Sequence, residues 1–281
     1  MIPLSLAIVA LALTSAELIT LPLWPEGTPT PLPPKSEATA KLIERYGGAT
    51  ATRLTDISEP EIAVYRPEKP NGTCVVVAPG GGYMFLSSSF EGTEVCEWLQ
   101  GIGVTGVLLK YRTPTRDAAD PFELPVQDGQ RALGVVRKHA AEWNIDPARV
   151  GLLGFSAGAN LAGHCAWDRT PRTYPQHGEY DDPRGPDFLI FIYGGGFLDH
   201  PDAVPPDAPP AFFLVAHDDK SAPAEAAQLY LGYQKYKLPA ELHIYGQGGH
   251  GFGMRRRGMP VDDWPKRCEE WLRSLGLLTA K

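Results

Sequence analysis

The chain has 281 residues, with 33 acidic and 26 basic side chains and a formal net charge of −7. Hydrophobic residues make up 43% and charged residues 21%, the balance of a globular protein with a substantial core. No basic tract dominates, which argues against nucleic acid and against an anionic membrane surface as partners.

Residues 1–16, MIPLSLAIVALALTSA, read as a signal peptide. An apolar run at 4–13, too short to span a bilayer, is followed by the small residues Thr14, Ser15 and Ala16. The segment lacks the usual Lys or Arg at its start. Residues 17–50 form a Pro-rich lead. Its prolines predict no long helix and an extended arm lying across the main domain or its entrance, with a disordered linker as the alternative. The main domain then covers 51–281. The four cysteines, Cys74, Cys96, Cys165 and Cys268, are widely spaced, with no CxxC and no Cys/His ligand spacing. Buried free thiols are expected, rather than a disulfide framework or a metal site.

From residue 61 onward, apolar runs alternate with helical patterns. Strands are predicted at 61–66, 73–78 (TCVVVA), 104–110, 149–155, 188–193 (FLIFIY), 211–216 (AFFLVA) and 240–245. Helices are predicted at 90–101, 126–143, 157–167, 222–236 and 264–275. Asp128 and Arg131 lie three apart on the second of these helices and are expected to pair structurally. Near-continuous apolar strands alternating with helices imply a mostly parallel sheet covered on both faces. Ligands of such sheets bind beyond the carboxyl ends of the strands.

The polar residues of interest all fall at such ends. The strand at 149–155 runs into Gly154-Phe155-Ser156-Ala157-Gly158, a G-x-S-x-G turn before a helix of small residues. Ser156 on that turn stands clear of the backbone, and the helix start behind it offers free N–H groups to a developing negative charge. This chemistry also needs oxyanion donors, a base and an acid. Pro79-Gly80-Gly81-Gly82-Tyr83 follows a buried strand and exposes bare N–H groups there. His250 lies in GQGGHGFG just after the strand at 240–245. Asp218 and Asp219 end the strand at 211–216; only one can face the imidazole, and Asp219 is preferred to Asp218. Tyr83, Phe85 and Trp167 are aromatics available to stack on sugar, though single aromatics are more often core. Arg255-Arg256-Arg257 reads as a solvated basic turn in preference to an anion site.

Nucleophile, acid and base thus come in the order Ser156, Asp219, His250, the chain order of α/β-hydrolases. The runs APGGGY at 78–83, VLLKYR at 107–112, GFSAG at 154–158 and GGHGFG at 248–253 resemble the α/β-hydrolase esterases. LWPEG at 23–27 and EWNIDP at 142–147 narrow the resemblance to exported bacterial acetyl-xylan-esterase-like carbohydrate esterases. The resemblance covers the chain from about Leu23 onward. It implies a doubly wound, mostly parallel sheet of about eight strands with little or no cap, and a reaction without a cofactor. It also implies Ser156 as nucleophile, His250 as base, Asp219 as acid, and N–H donors at Gly81, Gly82 and Ala157. Pro79 stands where many lipases and esterases carry the His of an HGGG form, and Asn160 stands where His or Gly is common. Tyr83 and Asn160 are the candidate substrate contacts.

The activity implied is hydrolysis of short-chain, acetyl-type esters on a small ester or acetylated carbohydrate, by a secreted or periplasmic enzyme. A general short-chain carboxylesterase, a lipase-like enzyme or a peptidase of the same fold is the alternative. A non-catalytic binding module is disfavoured by the intact Ser156, His250 and Asp219.

Overall fold

The computed structural model describes residues 18–47, 52–167, 173–175, 178–200, 202–220 and 222–278. The expected signal peptide at 1–16 lies outside them. In chain order the elements are β1 (Ile19–Pro22), α1 (Glu37–Gly47), β2 (Glu61–Tyr65) and β3 (Gly72–Ala78). A single π-turn (Ser89–Thr93) leads into α2 (Glu94–Gly101), then β4 (Thr105–Lys110), α3 (Glu123–Lys138) and the short α4 (Ala140–Trp143). β5 (Ile145–Phe155), α5 (Ala157–Trp167), β6 (Leu189–Ile192) and β7 (Ala211–Ala216) follow. The chain closes with α6 (Ala222–Lys235), β8 (Ala240–Tyr245) and, after a 3₁₀ turn (Pro260–Asp263), α7 (Trp264–Ser274).

Among the described residues the strands form one eight-stranded sheet in the order β1-β2-β4-β3-β5-β6-β7-β8. β2 runs against both of its neighbours, and every other pair is parallel. The unbroken apolar runs have a simple cause. Cys74, Val76 and Ala78 of β3 point into one core, with α3 and α5, while Val75 and Val77 point into the other, with α2 and α7. A strand with two buried faces needs apolar residues at every position. β8, at the sheet edge, is only partly buried, and Ile244 is exposed there. No helix among the described residues is long and apolar enough to cross a membrane. The four cysteines are all free and buried. Burial pushes the thiols of Cys74, Cys96 and Cys268 up.

The lead departs from a purely extended arm. Its prolines stop at Pro34, and Ser36 then accepts the Thr39 N–H on its Oγ at 3.1 Å. That cap starts α1, which runs for 11 residues. β1 extends the sheet along β2, and Leu23 and Trp24 are buried in the core shared with α3 and α5. The lead and the main domain therefore share one sheet and one core.

The expected Asp128–Arg131 pair is also corrected. Residues three apart on a helix are neighbours, but burial here brings each of them a better partner from elsewhere. Asp128 pairs with Arg112 at 2.8 Å, both side chains wholly buried. It also accepts the Trp24 indole N–H at 2.8 Å and the Arg112 backbone N–H at 2.8 Å. Arg112 spends its remaining donors on Thr30 O, Leu124 O and the Gln127 amide oxygen. Arg131 pairs instead with Asp181 at 2.9 Å, donates to Leu23 O at 2.9 Å and lies 4.7 Å from the Trp24 ring centroid. Two buried guanidiniums thus lie against the Trp24 ring, at 5.7 Å and 4.7 Å from its centroid, and tie the lead to the domain. Asp128→Ala leaves the Arg112 charge buried and uncompensated. Urea unfolding of this variant is expected to show a loss of about 3–5 kcal/mol, with the N-terminal lead becoming protease-sensitive first.

Candidate active site

The site is built where β3, β5, β6, β7 and β8 end. Ser156 joins β5 to α5 with a backbone φ of +53°, a conformation uncommon for a side chain other than glycine. Packing forces it. A Cβ on Gly154 would lie 2.1 Å from the Gly158 carbonyl oxygen, and a Cβ on Gly158 would lie 2.0 Å from that of Ala78. The two glycines let the strand, the turn and the helix close on one another. The Ser156 N–H is tied to Ile192 O at 3.0 Å, so the turn is anchored to β6.

His250, in the loop after β8, places its Nε2 at 2.8 Å from Ser156 Oγ and its Nδ1 at 2.6 Å from Asp219 Oδ2. A carboxylate oxygen only accepts, so Nδ1 carries the proton and Nε2 is free to accept the Ser156 O–H. The Asp219 side chain is buried while His250 is half exposed, so the line runs from the interior out to solvent. Of the two adjacent aspartates, Asp219 reaches the imidazole. Asp218 turns the other way and accepts the Gly249 N–H at 2.7 Å, holding the His250 loop one residue upstream. Arg257 donates to Gly251 O at 3.0 Å and Arg255 pairs with Glu94 at 2.9 Å, so two of the three arginines brace local structure.

Gly81 and Gly82 lie beside the Ser156 turn with φ of +145° and +61°. A Cβ on Gly81 would meet the Phe85 carbonyl oxygen at 1.8 Å, so only glycine fits. Among the described residues their N–H groups make no hydrogen bond. Ala157 heads α5, where the first N–H groups have no partner within the helix. Gly82 and Ala157 border a cavity of about 350 Å³ that is also lined by Tyr83, Ser156, Asn160 and His250, among others. Tyr83 donates its O–H to Asn160 Oδ1 at 2.7 Å, and Asn160 Nδ2 donates to Gly195 O at 2.9 Å. The two candidate substrate contacts therefore hold each other as one wall of the cavity. Tyr83, Phe85 and Trp167 are all buried. A second cavity of about 590 Å³ shares Phe122 with the first and is lined by His164, Trp167, Phe197 and Asp199.

Sequence reasoning missed three residues here. Asp218 was weighed only as the rival of Asp219. Tyr193, read simply as a strand end, has φ of +37° and lays its ring 4.9 Å from that of His250. Glu91, in the π-turn, is buried beside the glycine loop. No local pattern marks the last two: Glu91 stands among serines, Thr93 and Glu94, a polar run in which a buried carboxyl group is not distinguished.

The sheet order and the turn at Ser156 define the α/β-hydrolase fold, and a family model described as the alpha/beta hydrolase fold matches residues 75–206. The chain is 29% identical over 242 residues to an acetylxylan esterase of Xylanibacter ruminicola, covering 79% of this chain and 50% of that protein. It therefore spans half the length of that relative. An acetyl ester-xyloside bifunctional hydrolase from Caldicellulosiruptor lactoaceticus superposes with a TM-score of 0.70 at 26% identity, over 93% of this chain and 97% of the other. A carboxylesterase from Lactobacillus plantarum superposes at 0.68 with 19% identity, over 82% and 98%, a likeness of fold. The resemblance to α/β-hydrolase esterases read from the motifs is met, and these named relatives act on esters.

Gly158→Ala tests the packing of the turn. The added Cβ has only backbone to displace, so its expected cost is at the upper end of the roughly 1–3 kcal/mol of overpacking, read as a lowered thermal midpoint. Gly249→Ala, with φ of +63° but open space around the added Cβ, is expected to cost less.

Proposed function

We propose that the chain is a serine esterase that hydrolyses short-chain esters, acetyl first, of a carbohydrate such as acetylated xylan. The observation that carries the reading is the continuous line from Asp219 through His250 to Ser156, opening onto a small cavity edged by bare N–H groups. His250 takes the Ser156 proton as Oγ attacks the ester carbonyl. The resulting oxyanion is held by the N–H groups of Gly81, Gly82 and Ala157, and Asp219 steadies the imidazolium. His250 then gives its proton to the leaving alcohol, and a water repeats the sequence on the acyl-enzyme. The mechanism needs no cofactor.

The size of the cavity supports a short acyl group. About 350 Å³ is near the lower limit for a ligand site. The Tyr83–Asn160–Gly195 chain closes one wall, and the described residues 178–187 contribute no cap helices. The carbohydrate alcohol rests on the names of the two xylan-related proteins and on the resemblance of the lead, and export rests on the reading of residues 1–16.

Ser156→Ala is expected to lower kcat on p-nitrophenyl acetate by on the order of 10⁶-fold with an unchanged circular-dichroism spectrum. Wild-type protein should take up one fluorophosphonate per chain and the variant none. Across p-nitrophenyl esters, kcat/KM is expected to fall from acetate to octanoate, and acetate should be released from acetylated xylan. Full turnover by the Ser156→Ala protein would overturn the nucleophile; a preference for octanoate would overturn the acyl assignment.

A further inference from the structure

Glu91 is a buried ionisable group that the mechanism above leaves unused. It is 3% exposed and sits in the π-turn Ser89–Thr93, between the glycine loop and α2. Such turns are short departures from α-geometry that recur at functional sites. This one aims a carboxyl group inward rather than out. Oε2 accepts the Gly80 N–H at 2.8 Å, and Oε1 accepts the Tyr193 O–H at 2.8 Å. The Tyr193 oxygen in turn accepts the Gly253 N–H at 3.1 Å.

These three contacts reach three different loops. Gly80 precedes Gly81 and Gly82. Tyr193 follows β6 and packs its ring against His250, at 4.9 Å, and against Phe252, at 4.5 Å. Gly253 closes the loop that carries His250. The backbone of the π-turn adds a fourth tie, since Phe90 O accepts the Met254 N–H at 2.9 Å. The fit is close. A Cβ on Gly80 would stand 2.8 Å from Glu91 Oε2, and one on Gly253 would stand 2.4 Å from the Phe90 ring. Both partners of the carboxyl group are donors, so an ionised carboxylate satisfies them without a proton of its own to place. Burial pushes the Glu91 carboxyl up, while the bonds from Tyr193 and Gly80 oppose that push.

We propose that Glu91 is a positioning residue of the reaction, whose buried carboxylate joins the oxyanion loop to the His250 loop through Tyr193 and so sets the distance between the N–H donors and the Ser156–His250 pair. It touches neither substrate nor the reacting atoms. Its effect is on the geometry of the transition state, where a displacement of about 1 Å costs up to roughly 10²-fold in rate. Ground-state binding in the open cavity depends on that distance far less.

The proposal rests on Ser156 being the nucleophile, and the test separates the two. Glu91→Gln keeps the shape and one acceptor oxygen, but turns an amide toward one of two donors. Tyr193→Phe keeps the ring packing on His250 and removes only the hydroxyl link. Each variant is brought to an end-point count of reactive serines with fluorophosphonate, so that kcat is expressed per competent site and misfolded protein drops out. The expected result is a fall in kcat on p-nitrophenyl acetate of roughly 10–100-fold per site in each variant, with KM changed less than about threefold. The double variant should lose about as much as either single one, because both break the same link. Wild-type kcat per site in both variants, a loss confined to KM, or simple additivity in the double variant would overturn the proposal. If Ser156→Ala also turns over the ester, the nucleophile reading fails instead.

Discussion

Between the end of β3 and the first turn of α5 the two backbones stand too close for any side chain. The same holds between α5 and the end of β5, where Gly154 meets Gly158. That double approach is what lets a helix begin within one residue of a strand. It forces Ser156 into a left-handed backbone conformation, lifts its hydroxyl out of the sheet and presents the N-terminus of α5 to the same point. Every other part of the site is measured from there: the glycine loop of β3 arrives at the turn's side, and the loops of β7 and β8 bring Asp219 and His250 across its mouth.

The rim of the cavity is held in an unusual way. Tyr83, Ser156 and Tyr193 all line it, and all three have positive φ without being glycine. Each conformation costs free energy that surrounding contacts must offset. The contacts are visible. Tyr83 is fixed by Asn160, Ser156 by the β6 backbone, and Tyr193 by Glu91 and the ring of Phe252. Side chains that would point elsewhere in a relaxed backbone are thereby aimed inward by the core.

Much of this was legible in the amino-acid order because it is local. β7, β8 and α5 follow from apolar runs and small residues whose bounds the backbone keeps. The G-x-S-x-G turn, the glycines after β3 and the His250 loop follow from short motifs. What stayed hidden is held by pairs far apart in the chain. Trp24 meets Asp128 across 104 positions, and Glu91 meets Tyr193 across 102. Nothing beside Asp128 announces that Arg112 will arrive from the end of β4 ahead of the nearer Arg131, since that choice is made by burial once the sheet exists. The helix in the lead was hidden for the opposite reason, a dense run of prolines masking the Ser36 cap that follows it.

The buried thiols carry a consequence for the redox chemistry of such a chain. Each cysteine sits inside the apolar core as a small filler, and burial keeps three of them from ionising, so little thiolate is presented to an oxidant or a thiol-exchange partner. The cohesion of the fold comes from the two cores and from the Arg112–Asp128 pair. No covalent cross-link between cysteines contributes to it. Among the described residues, the fold therefore holds no cross-link between cysteines for a reductant to open.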